Sequence, residues 1–463
     1  MIYNLEILSN NLDYVIGKII IITEALQFFT VWYIIPKKGK HMFKETFRSL
    51  AVRNYRIWAA GAIVSNTGTW MQRTAQDWLV LTVLTHNNAT AVGIVLALQF
   101  GPQFFLLPVN GFAADYFDRR KLLIVTQASM GLLALGLGLL TVFEVVKLWH
   151  VYIFALLFGC VTAFDTPTRQ TFVSELVTEK DISNAIALNS TSFNAARMIG
   201  PAVAGVMIAL VGTGWVFLIN AASFGAVLIS LWTIKKSELH LREKVKFSKS
   251  GLADGFRYIA NRPDLKTILV MFFLIGTFGL NFPIYISTMA VTVFHSGAHE
   301  YGILTSIMAI GSVAGALLSA SRDKPRVSLI FVSSFVFGSG FILAAMMPTY
   351  LLFGLALAVI GISAQTLTTT ALGAVQLLTE AHMRGRVLAI LFAISWGGTI
   401  IGAPFVGRIA DMFGARWALS VGAASGLLAA AVGLYYLFKY RNMRVRFEAG
   451  HIRVSLDTIE HDN

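Results

Sequence analysis

Charge is scarce in this chain. Asp, Glu, Lys and Arg make up 13% of its 463 residues, about half the share of a soluble domain. With 56% hydrophobic residues, a mean hydropathy of +0.69 and repeated long apolar runs, that scarcity excludes a water-soluble globule and indicates an integral membrane protein. Short alternating segments of about ten residues, which a membrane barrel needs, are missing as well. In lipid every backbone N–H and C=O must be satisfied within its segment, so the spans are expected to be helices. The lone cysteine, Cys160, lies inside an apolar run; it excludes an intrachain disulfide and says nothing of compartment. Residues 1–13 have no basic start ahead of the first apolar run, so no cleavable signal peptide is expected. No G-x-x-x-x-G-K-(S/T) loop occurs, so an ATP-driven pump would need a separate subunit. No H-E-x-x-H motif or nucleophile–base set occurs either, which argues against an enzyme. His295 and His299 flank an outer loop without a third ligand, so no metal and no cofactor are expected.

Twelve apolar segments are present, at 57–83, 90–113, 122–142, 149–167, 186–211, 215–234, 267–292, 301–320, 327–346, 350–372, 387–407 and 416–438. Most can cross a layer of ~30 Å at ~1.5 Å per residue. Their connections alternate between short, nearly neutral loops (THNNAT, FEVVK, GTG, MPTY) and basic ones, and the basic set holds 31 of the 37 Lys and Arg. Positive loops stay cytoplasmic. The core is therefore expected to start and end in the cytoplasm, with its net charge of +13 reporting orientation and contact with anionic lipid rather than nucleic acid.

The chain repeats itself. Phe47-Arg48-x-x-Ala51-x-Arg53 recurs as Phe256-Arg257-x-x-Ala260-x-Arg262, and Gly93-Ile94 as Gly302-Ile303, both 209 residues on. Gly200, Gly205, Gly212 and Trp215 recur as Gly402, Gly407, Gly414 and Trp417, 202 residues on. The expected architecture is all-α: two six-helix pseudo-repeats in the same orientation, with a site at their interface. The divisions are an N-terminal extension (1–46), a first bundle (47–234), a basic cytoplasmic linker (235–264), a second bundle (265–440) and a cytoplasmic tail (441–463). Leu252, Phe256 and Ile259 in the linker have helical spacing, as do Phe43, Phe47 and Leu50 before the first span. Both stretches are expected as short interfacial helices, the linker's rival form being a solvated tether. Segment 14–35 is long enough to span yet carries Lys18 and Glu24. An extra helix, an interfacial helix and a leader ahead of a start at Met42 all remain open for it.

Several charged residues stand where charge is expensive. Arg197 lies near the middle of the fifth span. It either attracts an anionic substrate or counter-charges a proton carrier, or it forms a structural hub with Asn194, Ser192 and Asn189. Arg73 and Asp77 share a face of the first span, four residues apart. Asp77 is the most embedded acid of the core and a candidate proton carrier; a static pair with Arg73 near the outer interface is the alternative. Asp165, in an expected FDTPTR turn, and Glu144 and Asp411, near helix ends, are weaker candidates.

Gly111-x-x-x-Asp115-x-x-x-Arg119-Arg120-Lys121 resembles the 2–3 loop motif of the major facilitator superfamily, with Tyr116 in place of a base and Asp118 in place of Gly. Gly200-Pro201-Ala-Val-Ala-Gly205 resembles the end of that superfamily's antiporter motif. AFDTPTRQTFVSELV, NAARMIGPAVAG, RGRV and GRIADMFGAR together resemble the branch that holds the enterobactin exporter and macrolide-type effluxers. The resemblance implies alternating access and export driven by inward proton flow. It implies a conformational gate at Gly111, Asp115, Arg119, Arg120 and Lys121, where the Asp115 carboxylate would lock onto the N-terminus of the eleventh span. Arg197, Asn194, Gly200 and Pro201 are the expected residues of a central cavity. The expected partners are a small amphipathic substrate (drug, siderophore or metabolite), protons and membrane lipids, for a monomer in the bacterial inner membrane. An importer or lipid flippase on the same fold, and a non-transporting sensor, are the rival functions.

Overall fold

The computed structural model describes residues 46–106, 109, 116–240, 252–320, 327–380, 383–440, 444–448 and 451–455. The first half of the chain contains α1 (Arg53–Trp78), which continues as a π-helical turn over Leu79–Leu84, then α2 (Ala89–Phe105), α3 (Arg119–Val142), α4 (Leu148–Glu175), α5 (Ile182–Val211) and α6 (Thr213–Thr233). A short helix, α7 (Leu252–Ala260), precedes the second half. There α8 (Pro263–Leu274) and α9 (Phe282–Thr288) form one interrupted rod. It is followed by α10 (Ala298–Ala320), α11 (Val327–Met346), α12 (Tyr350–Leu378), the end-to-end pair α13 (Arg384–Gly397) and α14 (Thr399–Phe413), and α15 (Ala415–Tyr440).

Among the described residues, ten helical segments are long and apolar enough to cross a membrane. The apolar α2 has only 17 described residues, and the polar α1, with Asn66, Gln72, Arg73, Gln76 and Asp77 buried or half-buried, is not among the ten. Local chemistry sets many ends. The side chains of Asn88, Asp118 and Thr349 accept from backbone N–H groups three residues on, at the starts of α2, α3 and α12. Gly212 and Gly414 end α5 and α14 at φ of +82° and +96°, a backbone that a Cβ would strain.

The helices run further toward the basic end than the apolar stretches alone indicated. FDTPTR is not a turn: it lies inside α4, with Pro167 in the helix. The Thr168 and Thr171 hydroxyls bond to the carbonyls of Phe164 and Pro167, and buried neighbours hold the rest of the segment. The linker's amphipathic stretch is helical as expected. Ile259 is buried and Gly255 rests on Arg386 and Ile390 of α13. Its counterpart before α1 is a single 3₁₀ turn, Arg48–Ala51, with Phe43 outside the described residues. Residues 1–45 lie outside them too, and with them the extra-helix question. Beyond α15 the tail holds an antiparallel hairpin, β1 (Arg444–Glu448) and β2 (His451–Ser455), with Glu448 opposite His451, where the all-α expectation had no strand.

Packing repeats between the halves. In the first, α1 packs on α5 and α6, α3 on α6 and α4, and α2 on α4. In the second, α8 packs on α15, α11 on α15 and α12, and α10 on α12. The halves meet most extensively where α2 crosses α14 and α5 crosses α10. Large apolar side chains such as Leu210, Trp232, Leu351 and Leu355 cover the outside, as lipid contact requires.

Candidate functional site

The two crossings between the halves lie at the end carrying the short, weakly charged loops. They obey the offsets found in the sequence. A Cβ at Gly93 would press into the carbonyl of Ala403, and one at Gly302 into the carbonyl of Pro201. A Cβ at Gly407 would strike Ala89, and one at Gly205 would strike Ala298. The repeated glycines are therefore the places where one half's backbone lies directly on the other's, and any side chain would hold the helices apart. Gly200 and Pro201 belong to this packing: Gly200 sits on Trp70 and Thr67 of α1, and Pro201 on Gly302. The π-helical turn at Leu79–Leu84 has its counterpart at Met289–Val293, again 209 residues on to within a residue.

Asp77 is buried at this seam. Its Oδ2 accepts the hydroxyl of Tyr301 on α10 at 3.3 Å, and the Tyr301 ring stacks on Trp78 at 6.1 Å between centroids. This buried acid thus joins α1 of one half to α10 of the other. Arg73 does not pair with it: no ion pair within 4.0 Å joins them among the described residues. Its guanidinium lies over Trp70 at 4.8 Å and Phe100 at 5.3 Å, a cation–π setting, and its buried Nε has no hydrogen-bond partner. Trp70 also meets Phe193 of α5 edge-on at 5.8 Å. One turn along α5, Arg197 likewise buries an unpartnered Nε, as Ser192 does its hydroxyl. Asn194 is bonded to its own helix at Ser190 and not to Arg197. On the facing half, Thr277, Asn281 and Ser306 bury unpartnered oxygens. Such orphaned groups are costly in a finished core.

At the basic end, Gly111 and Asp115 lie outside the described residues. The bases after them are anchored within the first half. Arg119 pairs with Glu175 of α4, and Arg120 donates to the carbonyls of Leu231 and Trp232 at the end of α6. The backbone N–H of Lys121 donates to Asp118. Nearby, buried Asp165 accepts from Thr126 and Gln127 of α3, both at 2.7 Å, and pairs with Arg169 at 3.0 Å. Arg169 reaches Asn66 of α1 at 2.6 Å, so this cluster ties α1, α3 and α4 together.

The profile of a family described as transmembrane secretion effector, of the major facilitator type, matches residues 45–453. The chain belongs to this family. Its relatives include the staphyloferrin A transporter of Staphylococcus aureus, 27% identical over 84% of this chain and 96% of that protein. The enterobactin exporter EntS of Citrobacter koseri is 24% identical over 78% and 86%, and the multidrug efflux pump Tap of Mycobacterium tuberculosis 24% over 76% and 86%. Among solved structures, an inward-facing bacterial homolog of the lysosomal transporter Spinster superposes with a TM-score of 0.66 at 15% identity, over 83% of this chain and 97% of that one. The nucleoside transporter NupG also scores 0.66, at 13% identity over 84% and 100%; these two likenesses show the fold. This chain is therefore a multi-pass membrane transporter and not an enzyme.

The two halves of the chain share packing but not charge. At the repeat offsets, Arg73, Asp77 and Arg197 correspond to Phe282, Ile286 and Thr399. The repeated glycines keep the crossings, while these three charges have uncharged counterparts in the second half. Tyr301 escaped sequence reasoning, because a tyrosine opening an apolar helix is equally a membrane-interface anchor.

Proposed function

We propose that this chain is a proton-coupled exporter of small amphipathic molecules that works by alternating access. In this reading α1 and α2 complete a set of twelve spans. Residues 47–234 and 265–440 are the two moving halves, and 235–264 joins them on the cytoplasmic side. The monomer sits in the bacterial inner membrane, and 31 basic residues keep their loops inside. The functions of the relatives, siderophore export and drug efflux, favour outward transport.

The observation that carries the reading is the Tyr301–Asp77 hydrogen bond. It puts an embedded, titratable carboxyl on the seam that must part for release. A proton entering from outside and binding Asp77 would weaken its hold on Tyr301; inward return would require the seam to close again. Arg73 and Arg197, with unpartnered Nε atoms, supply the positive potential that draws an anionic or electron-rich substrate between the halves. Asp115 would close the opposite end.

Inside-out vesicles test the proposal. When acidified inside, they should accumulate a substrate from a panel of siderophores and drugs, and Asp77→Asn should stop that accumulation while sparing counterflow. Proton-driven accumulation at the wild-type rate in Asp77→Asn would remove the assignment, and efflux from acidified vesicles would favour import.

A further inference from the structure

A second contact spans the halves at the low-charge end, and the proposed transport chemistry does not use it. The Oδ1 of Asp411, on α14, accepts the backbone N–H of Ala89 at 2.7 Å. Its Oδ2 accepts the N–H of Thr90 at 2.9 Å and the Thr90 hydroxyl at 2.5 Å. These are the first residues of α2. A helix begins with N–H groups that have no partner within it and with the positive end of its dipole. Asn88 satisfies the N–H of Ala91, and Asp411, more than 300 residues away and on the other half, satisfies the two before it.

We infer that Asp411 is a latch that holds the low-charge end shut and so positions the transporter between its two access states. The backbone around it is built for this. Gly407, one turn earlier on α14, lies on Ala89, and Gly93, one turn further along α2, lies on Ala403. The carboxylate is thereby held within bonding distance of the α2 N-terminus. A vestibule of about 420 Å³, lined by Thr85–Ala89, Thr288, Thr292, Asp411 and Gly414, opens beside the contact. Water can therefore take over both the carboxylate and the freed N–H groups when the halves part, so the latch is reversible. The device is one-sided. At the repeat offsets Asp411 corresponds to Ala209 and Thr90 to His299, so the α5–α10 crossing has no counterpart of this contact. It is also the chemistry expected of Asp115 at the other end: a carboxylate on one half that seals a helix N-terminus on the other.

The inference rests on alternating access, but not on the direction of transport or on proton coupling. The test therefore needs no substrate. Spin labels at Val145 and Met346, exposed at the low-charge end of opposite halves, would be placed in the Cys160→Ser full-length chain in lipid nanodiscs. Their distance distribution would be read by double electron–electron resonance. Asp411→Ala and the near-isosteric Asp411→Asn should each raise the ratio of long to short distances about fivefold, the scale of losing charge-assisted bonds that water partly replaces. Thr90→Val should raise it less, and Thr90→Ser should match the parent. An Asp411→Asn protein that reconstitutes with the parent's distribution overturns the latch, whatever the vesicle experiments show about export. Should Asp411→Ala fail to reconstitute, Asp411→Asn alone decides.

Discussion

Removing one hydroxyl should loosen the seam between the halves at the low-charge end. Tyr301→Phe deletes the O–H that Asp77 accepts but keeps the ring that stacks on Trp78, so the change isolates a single bond. At 3.3 Å the bond is longer than the ~2.7 Å usual for O–H···O. Its worth therefore falls below the 1.5–3 kcal/mol typical of bonds to charged groups, at about 1 kcal/mol. In a two-state equilibrium that is about a fivefold change in the ratio of states open and closed at the low-charge end. The Val145–Met346 spin-label pair reads the ratio directly. A double-mutant cycle with Asp77→Asn sharpens it: if the two side chains act through this bond, the double variant should open no further than the more open single variant, with a coupling of about 1 kcal/mol. Strictly additive shifts, or a Tyr301→Phe protein indistinguishable from its parent, would refute the claim that Asp77 works through α10.

The remaining expectations concern other parts of the molecule. Asp165→Ala removes the buried acceptor shared by Thr126, Gln127 and Arg169 and should cost about 2 kcal/mol, seen as lower thermal stability in detergent and lower membrane abundance; unchanged stability would deny the cluster its structural role. Arg197→Ala should weaken binding of an anionic substrate more than a neutral one, measured by isothermal titration; equal losses would leave only a packing role for Arg197. Gly302→Val forces a branched side chain onto Pro201 and should shift the spin-label distances toward the open state; a closed distribution would mean the crossing is looser than its backbone contact indicates. Asp115→Asn should impair switching between access states in counterflow while leaving the protein folded; wild-type counterflow would remove the gate assignment.

Much of this architecture was legible because membrane insertion writes it into the sequence. Spans need uninterrupted apolar length, basic loops mark one side, and backbone crossings demand glycine, so Gly93, Gly205, Gly302 and Gly407 announced the repeat before their contacts were visible. The candidate site was legible only where it was charged. Arg73, Asp77 and Arg197 stood out against apolar surroundings, but their partners did not. Tyr301 lies 224 positions from Asp77, and no local pattern records such a pairing. Arg73 has the spacing of an ion pair with Asp77, yet aromatic rings hold it instead. Asp411 read as an ordinary acid near a helix end because the helix it caps belongs to the other half. Pro167 suggested a turn at Asp165, although a helix packed among polar neighbours tolerates proline. The tail's alternation of Arg444, Val445, Arg446 and Phe447 is a strand pattern that the basic composition obscured.

Alternating access itself has a direct test. With Thr90→Cys and Asp411→Cys in the Cys160→Ser chain, oxidation replaces the latch by a disulfide between positions whose side chains now touch. A third cysteine at Asn194 reports on the space between the halves. Before oxidation, a membrane-impermeant maleimide should reach position 194 from either side of the bilayer. After oxidation it should reach it only from the basic side, and reduction should restore both. Labelling from the low-charge side at an undiminished rate while the disulfide is intact would contradict a transporter whose halves must part at that seam.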